Sequence, residues 1–184
     1  PLLEAGGTPT MIPGPYHVPA YRYRTRAACT NKTPLGAYRG VGLPMAVLSH
    51  ERLMDILAAE LGLDRADVRR RNMIRSDEMP YRTATGRLYD NGDYPRALDA
   101  ALQLIRYDEF ETRRARAKER GRLAGLGVAS FVEFTGVNRK EYLARGMMGT
   151  RGDDSAHAVL DASGSIRLWT TLPGVGNSSA TTFA

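Results

Sequence analysis

The sequence predicts a mixed α+β chain built from parts of two domains, and three observations point there. Apolar residues recur at helical spacing through 44–62 and 95–119. Strict alternation runs through 21–29, and a strand–turn–strand pattern runs through 157–170. The character of the chain changes near residue 120, which divides it into 1–120 and 121–184. The length, 184 residues with 42% hydrophobic and 25% charged, is that of a globular chain filling one ordinary domain or parts of two.

In chain order, residues 1–20 are rich in Pro and Gly and read as irregular. Tyr21, Tyr23, Thr25, Ala27 and Cys29 then alternate with Arg22, Arg24, Arg26 and Ala28. This is a period-two strand with a basic face, read as solvated rather than anion-binding. A helix follows over 44–62, with Pro44 in its first turn, where the missing donor is not needed, and Gly62 as its stop. His50 lies in that helix with no second ligand at metal spacing, so it reads as structural. Asp64 is an N-cap for a short basic helix ending near Asn72. Its run Arg69-Arg70-Arg71 reads as a solvated face or a structural ion pair rather than a phosphate contact. Residues 75–93 are turn-rich. Asp93 caps the next helix, 95–119, with Pro95 in its first turn and Leu98, Ala101, Leu102, Ile105 and Phe110 on its apolar side. From residue 123, Leu126, Val128, Phe131 and Val132 suggest a strand entering a new sheet. A polar loop over 136–153 precedes a hairpin in which 157–161 and 166–170 are the strands.

Composition narrows the function classes. The 26 Lys and Arg against 20 Asp and Glu give a formal charge of +6, which favours acidic ligands or partners without saying anything about fold. The basic run Arg113–Arg122 lacks aromatic stacking residues and any reader motif, so no nucleic-acid partner is expected. The single cysteine, Cys29, excludes an internal disulfide and a cysteine-built metal cluster, and it fits a cytoplasmic setting. No uninterrupted apolar run is long enough to span a bilayer and no signal sequence opens the chain, so no membrane is expected. The chain does not begin with Met, and it reads as a fragment of a longer polypeptide.

The stretch with the most chemistry is Thr30-Asn31-Lys32-Thr33-Pro34-Leu35-Gly36-Ala37-Tyr38-Arg39-Gly40-Val41-Gly42-Leu43-Pro44. Three glycines permit tight turning, Arg39 offers a permanently charged fork of five donors, and a helix starts directly afterwards. Such a loop suits an anion at a helix N-terminus. No Gly-Lys-Ser/Thr follows, which excludes a nucleoside-triphosphate loop. Spacing alone favours a plain tight turn.

The wording of that stretch is more specific than its spacing. Asn31-Lys32-Thr33-Pro34 with Gly36-Ala37-Tyr38-Arg39-Gly40 resembles the molybdopterin-binding large subunit of the molybdenum hydroxylases, the xanthine dehydrogenase, aldehyde oxidase and carbon monoxide dehydrogenase family. The likeness continues through Glu51-Arg52-Leu53-Met54-Asp55, Leu61-Gly62-Leu63-Asp64, Arg69-Arg70-Arg71-Asn72-Met73-Ile74 and Pro80-Tyr81-Arg82-Thr83. It extends to Tyr89-Asp90-Asn91-Gly92-Asp93-Tyr94, Gly125-Leu126-Gly127-Val128-Ala129 and Val132-Glu133-Phe134-Thr135-Gly136. The resemblance implies parts of two molybdenum-cofactor-binding domains: the C-terminal part of the first over 1–120 and the N-terminal part of the second over 121–184. It implies hydroxylation of an aldehyde or N-heteroaromatic carbon with oxygen from water. It also implies a molybdenum–molybdopterin cofactor, in the cytosine dinucleotide form if the source is bacterial. Electrons would pass to [2Fe–2S] clusters and FAD on an iron–sulfur subunit and an FAD subunit, in a dimer of heterotrimers acting on a small-molecule substrate.

Carried over residue by residue, the likeness makes Ala37, Tyr38, Arg39 and Gly40 cofactor-binding, with Arg39 nearest the metal. Val41 falls where the family can present a side chain to substrate, and Val cannot stack on a flat ring as an aromatic residue would. Gly40 stands where copper-containing carbon monoxide dehydrogenases have a cysteine, which counts against carbon monoxide as substrate. Gly174-Val175-Gly176-Asn177-Ser178-Ser179 resembles a second cofactor loop. Gly174 and Gly176 could offer main-chain N–H groups there, but Val175 replaces a frequent Gln and its amide. No catalytic residue is assigned, because the family's catalytic glutamate lies downstream and Glu133 does not match it. Two other readings compete: a basic binding module, and a degenerate family member without catalytic activity.

Overall fold

The computed structural model describes residues 2–33, 36, 39–133, 139–144 and 154–184. It divides into two compact units, 1–133 and 134–184. Residues 126–130 are bonded to the helices of the first unit.

The first unit opens with a helix, α1 (Leu2–Met11), where the sequence reads as irregular. Pro9 lies inside it and removes one main-chain donor, a penalty that local propensity weighs heavily. Packing of α1 against the next helix outweighs that propensity. The predicted strand over 21–29 does not form: these residues carry no regular structure, and all but Tyr21 are exposed. Alternation prepares a strand but does not supply a partner backbone, and among the described residues none pairs with this segment.

Helix α2 (Leu43–Leu61) follows the glycine loop with Pro44 in its first turn, and Gly62 closes it. Gly62 has φ 62°, and its N–H bonds back to the carbonyls of Ala58 and Ala59. Asp64 caps α3 (Arg65–Asn72), accepting from the N–H groups of Ala66 (2.7 Å) and Asp67 (3.1 Å). A two-residue antiparallel ladder, β1 (Tyr81–Arg82) with β2 (Leu88–Tyr89), crosses the turn-rich stretch. Asp93 caps α4 (Tyr94–Leu104) through the N–H of Arg96.

The helix predicted over 95–119 is two helices. It breaks at Arg106, whose φ is 48°, and resumes through a one-turn 3₁₀ helix into α5 (Phe110–Glu119). Two sets of tertiary bonds hold the break. Arg113 Nη2 donates to the carbonyls of Ile105 (2.5 Å) and Arg106 (3.1 Å), and the Tyr107 hydroxyl donates to Asp64 (2.8 Å). A small apolar core gathers Tyr16, Ala66, Met73, Leu98 and Leu102, with Val18, Met54, Tyr94, Tyr107 and Val128 packed against it.

Residues 123–133 have the burial of a strand without a sheet. Even-numbered positions are half-buried and odd-numbered ones exposed. Among the described residues no main-chain hydrogen bond reaches this segment. Side chains supply the donors instead, at every second carbonyl. Arg65 Nη1 bonds to Leu126 (3.0 Å), Arg69 Nη2 to Val128 (3.2 Å) and His50 Nε2 to Ser130 (2.9 Å).

In the second unit, helix α6 (Arg139–Ala144) interrupts the stretch predicted as a polar loop. The hairpin pairs β3 (Ala156–Leu160) with β4 (Ile166–Thr170), in a register running from Ala156↔Thr170 to Leu160↔Ile166. Asp161 organises its turn, accepting from the N–H groups of Ser163 (2.9 Å) and Ser165 (3.2 Å). The Ser163 contacts hold the Asp161 carboxyl below the usual carboxylate range. A one-turn helix, α7 (Ser179–Thr182), comes after the 174–176 loop. No helix among the described residues is long and apolar enough to cross a membrane.

Candidate functional site

The glycine loop ends in an unusual backbone. Gly40, Val41 and Gly42 have φ values of 91°, 29° and 82° in succession. A β-branched residue between two glycines in positive φ is strained, and such strain persists only where surrounding structure fixes it. A Cβ at Gly40 would come within 3.2 Å of Pro44 Cδ, so a side chain there would be tightly placed as well as strained. The Leu43 N–H bonds to the Gly40 carbonyl at 2.8 Å and the Ala46 N–H to that of Gly42 at 3.1 Å, which locks the turn onto α2. The N–H groups of Gly40, Val41 and Gly42 follow one another along this turn. They cluster at the N-terminal end of a 19-residue helix, where the helix dipole adds a positive field. Arg39 adjoins them in the chain. This donor set suits the anionic and polar oxygens and ring nitrogens of a phosphorylated pterin cofactor. Of the residues that the sequence singles out, Ala37 and Tyr38 lie outside the described residues.

Arg39 and Gly40 stand at one end of a groove of about 620 Å³. Leu43, Pro44, Val47 and Leu48 of α2 form one wall, and Val128, Ala129 and Phe131 form the other. Glu51, Arg52, Asp55 and Glu133 are the remaining charged groups along it.

Behind the groove lies a polar network in which the structural ion pair that the sequence allows for the Arg69–Arg71 run is realised at Arg69, but buried, which the sequence reading did not foresee. Arg69 is 0% exposed and Glu51 6%. Arg69 Nε donates to Glu51 Oε2 (2.8 Å). Its Nη2 donates to Asp55 Oδ1 (3.0 Å) and the Glu51 carbonyl (3.1 Å), and its Nη1 donates to the Arg65 carbonyl (3.0 Å). Burial works against the guanidinium charge, but Glu51 and Asp55 outweigh it and hold the Arg69 pKa above its ordinary value. The Tyr16 hydroxyl donates to Glu51 Oε1 at 2.5 Å, and burial first, then Glu51, push the phenol above its usual range. His50 is structural, as its isolation in the sequence implies. Because the Ser130 carbonyl can only accept, Nε2 carries a proton, while Nδ1 is buried with no partner among the described residues. The ring packs on Gly14, where a Cβ would lie 2.7 Å from Cε1. A signal for this network exists in the sequence. Glu51 shares helical spacing with Val47, Met54 and Ala58, so a carboxylate sits on the inward stripe and needs a cation.

Arg70 and Arg114 behave as parts of solvated faces. Arg70 pairs with Asp67 and Asp99 at the surface, and Arg114 pairs with Glu111 on exposed α5. The 174–176 segment is exposed. Gly176 has φ 84°, and nothing lies within 4 Å of a Cβ placed on Gly174. Among the described residues no group of three or more His, Cys, Asp or Glu is placed to hold a metal ion.

Residues 4–73 match the molybdopterin cofactor-binding domain. The chain is similar to the nicotine 6-hydroxylase large subunit of Paenarthrobacter nicotinovorans, 35% identical over 99% of this chain and 22% of that protein. It is similar to the carbon monoxide dehydrogenase large chain of Hydrogenophaga pseudoflava, 31% identical over 99% of this chain and 24% of that protein. Among solved structures, quinoline 2-oxidoreductase from Pseudomonas putida 86 superposes with a TM-score of 0.79 at 34% identity, covering 95% of this chain and 22% of that one. The chain therefore spans under a quarter of the relatives it matches. By sequence and by fold, it belongs to the large subunits of the xanthine dehydrogenase, aldehyde oxidase and carbon monoxide dehydrogenase family of molybdenum-dependent oxidoreductases.

Proposed function

We propose that this chain is the part of a molybdenum hydroxylase large subunit that holds one edge of a molybdenum–molybdopterin cofactor, in the cytosine dinucleotide form if the source is bacterial, through the Arg39–Gly42 loop. The observation that carries the reading is the strained run Gly40-Val41-Gly42 beside Arg39 at the start of α2. When bound, the cofactor supplies the two-electron chemistry that hydroxylates an aldehyde or N-heteroaromatic carbon with oxygen from water. Arg39 gives charge-assisted hydrogen bonds, with Ala37, Tyr38 and Gly40 contributing contacts in the same loop. Arg39 is the residue nearest the metal, and Val41 faces the substrate. Main-chain N–H groups of Gly174 and Gly176 contribute a second contact, supported by the likeness of that segment to a cofactor loop. Residues 1–120 and 121–184 then belong to two successive cofactor-binding domains. Electrons leave through [2Fe–2S] clusters and FAD on partner subunits, in a cytoplasmic dimer of heterotrimers.

The test is Arg39→Ala in the native assembly that carries this chain. Molybdenum per folded protein is expected to fall about tenfold, the usual scale for losing a group that orients a metal centre. Full molybdenum loading with unchanged rates overturns the role of Arg39. A wild-type ratio near one molybdenum per large subunit excludes the degenerate reading.

A further inference from the structure

We infer that Arg69 is a positioning residue for the Arg39 loop, acting through α2 and the 126–130 segment. The inference rests on reading that loop as the cofactor's.

A buried ion pair is a poor way to stabilise a fold, because desolvation offsets much of the attraction and apolar residues of equal volume commonly do as well. What a guanidinium supplies is direction. Its donors lie in one rigid plane, and here all three nitrogens are engaged. Nη2 bonds at once to Glu51 and Asp55 on α2 and to the Val128 carbonyl on the facing segment. Arg69 therefore ties together the two walls of the groove that ends at Arg39 and Gly40. The tie acts at a distance. Glu51 stands eight residues beyond Leu43, roughly 12 Å along the helix axis. A tilt of α2 at Glu51 becomes a displacement of its first turn, and that turn is hydrogen-bonded to Gly40 and Gly42. The Arg39 guanidinium and the three loop N–H groups are thus aimed from α3, an element that does not itself line the groove.

The decisive variant is Arg69→Lys, made in the native assembly, because it keeps the charge and removes the fork. If Arg69 only neutralises Glu51, Lys rescues. If Arg69 positions the loop, Lys does not. The expected result is about a tenfold loss of molybdenum per folded protein, with faster amide exchange at 39–43 and 126–130 and unchanged exchange in the 156–170 hairpin. Asp55→Asn is the milder companion. It weakens one arm of the fork on the half-buried side and is expected to move the same amides by less. Wild-type molybdenum loading and wild-type exchange in Arg69→Lys overturn the inference, whatever happens to Tm. If Arg39→Ala still loses molybdenum in that case, the cofactor-loop reading stands without it. If Arg39→Ala keeps full loading, that reading falls first and takes the positioning role with it.

Discussion

Two glycine loops of this chain look alike in sequence and differ in support. Gly40-Val41-Gly42 opens a 19-residue helix whose inner face is fixed by Arg69, Glu51, Asp55 and His50. Gly174-Val175-Gly176 precedes a four-residue helix with no buried residue. Both contain positive-φ glycine, but only the first holds a β-branched residue at positive φ between its glycines. A loop keeps a strained shape only if the element it leads into cannot move. Glycine spacing therefore says where a backbone can turn, whereas the anchoring of the next element says whether it is held.

The strongest way to break this comparison is to remove the anchor. Arg69→Met leaves the Glu51 carboxylate buried without its cation, and a loss of about 3–5 kcal/mol in denaturant unfolding is expected. The double variant Arg69→Met/Glu51→Leu should recover most of that loss, since it removes both charges together. If the double variant is no more stable than the single one, the network is stabilising as well as directing.

A smaller effect is expected at Asp64, which caps the helix carrying Arg69. Asp64→Ala should cost about 1 kcal/mol. Burial raises the Asp64 pKa, but the Tyr107 hydroxyl and the N–H groups of Asp67 and Ala66 outweigh it and hold the carboxyl below its ordinary value. A folded pKa below the unfolded one means the contribution is present above about pH 4 and is lost as pH falls through the folded value. The gap between wild type and Asp64→Ala should thus be flat from about pH 5 to 7 and close in acid. At the other end, Tyr107 is pushed up to about 12, by burial first and then by Asp64. Its contribution is present below about pH 10 and fades as pH rises through the folded value. Unfolding titrations of the two proteins check both windows. The smallest effect belongs to the second loop: Val175→Gln on an exposed turn should change stability by less than about 0.5 kcal/mol. A larger change would mean that the second loop is anchored like the first.

Much of this molecule is legible from local chemistry. Pro44 and Gly62 bracket α2, Asp64 and Asp93 cap α3 and α4, and Asp161 turns the hairpin, because each acts on its own backbone within a few residues. The rest depends on distant partners. Packing against α2 holds α1 despite Pro9, and bonds from Arg113 and Tyr107 hold the break at Arg106. The strand pattern at 21–29 finds no partner among the described residues. At the candidate site, the wording around Arg39 is readable because it is family wording. The strain at Val41 and the burial of Arg69 are not, since both arise from three-dimensional closure.

The 126–130 segment has a consequence for how this groove can diverge. It is gripped by its carbonyls, through Arg65, Arg69 and His50, and every residue type has a carbonyl. Its exposed side chains, such as Ala129, are therefore released from the work of holding it in place, while Val128 still packs against the core. Val128, Ala129 and Phe131 border one groove with α2 and a second, of about 370 Å³, with α4. Single substitutions along this rail can reshape either cavity while the main chain keeps its course, which gives selection a way to retune shape without redesigning the scaffold.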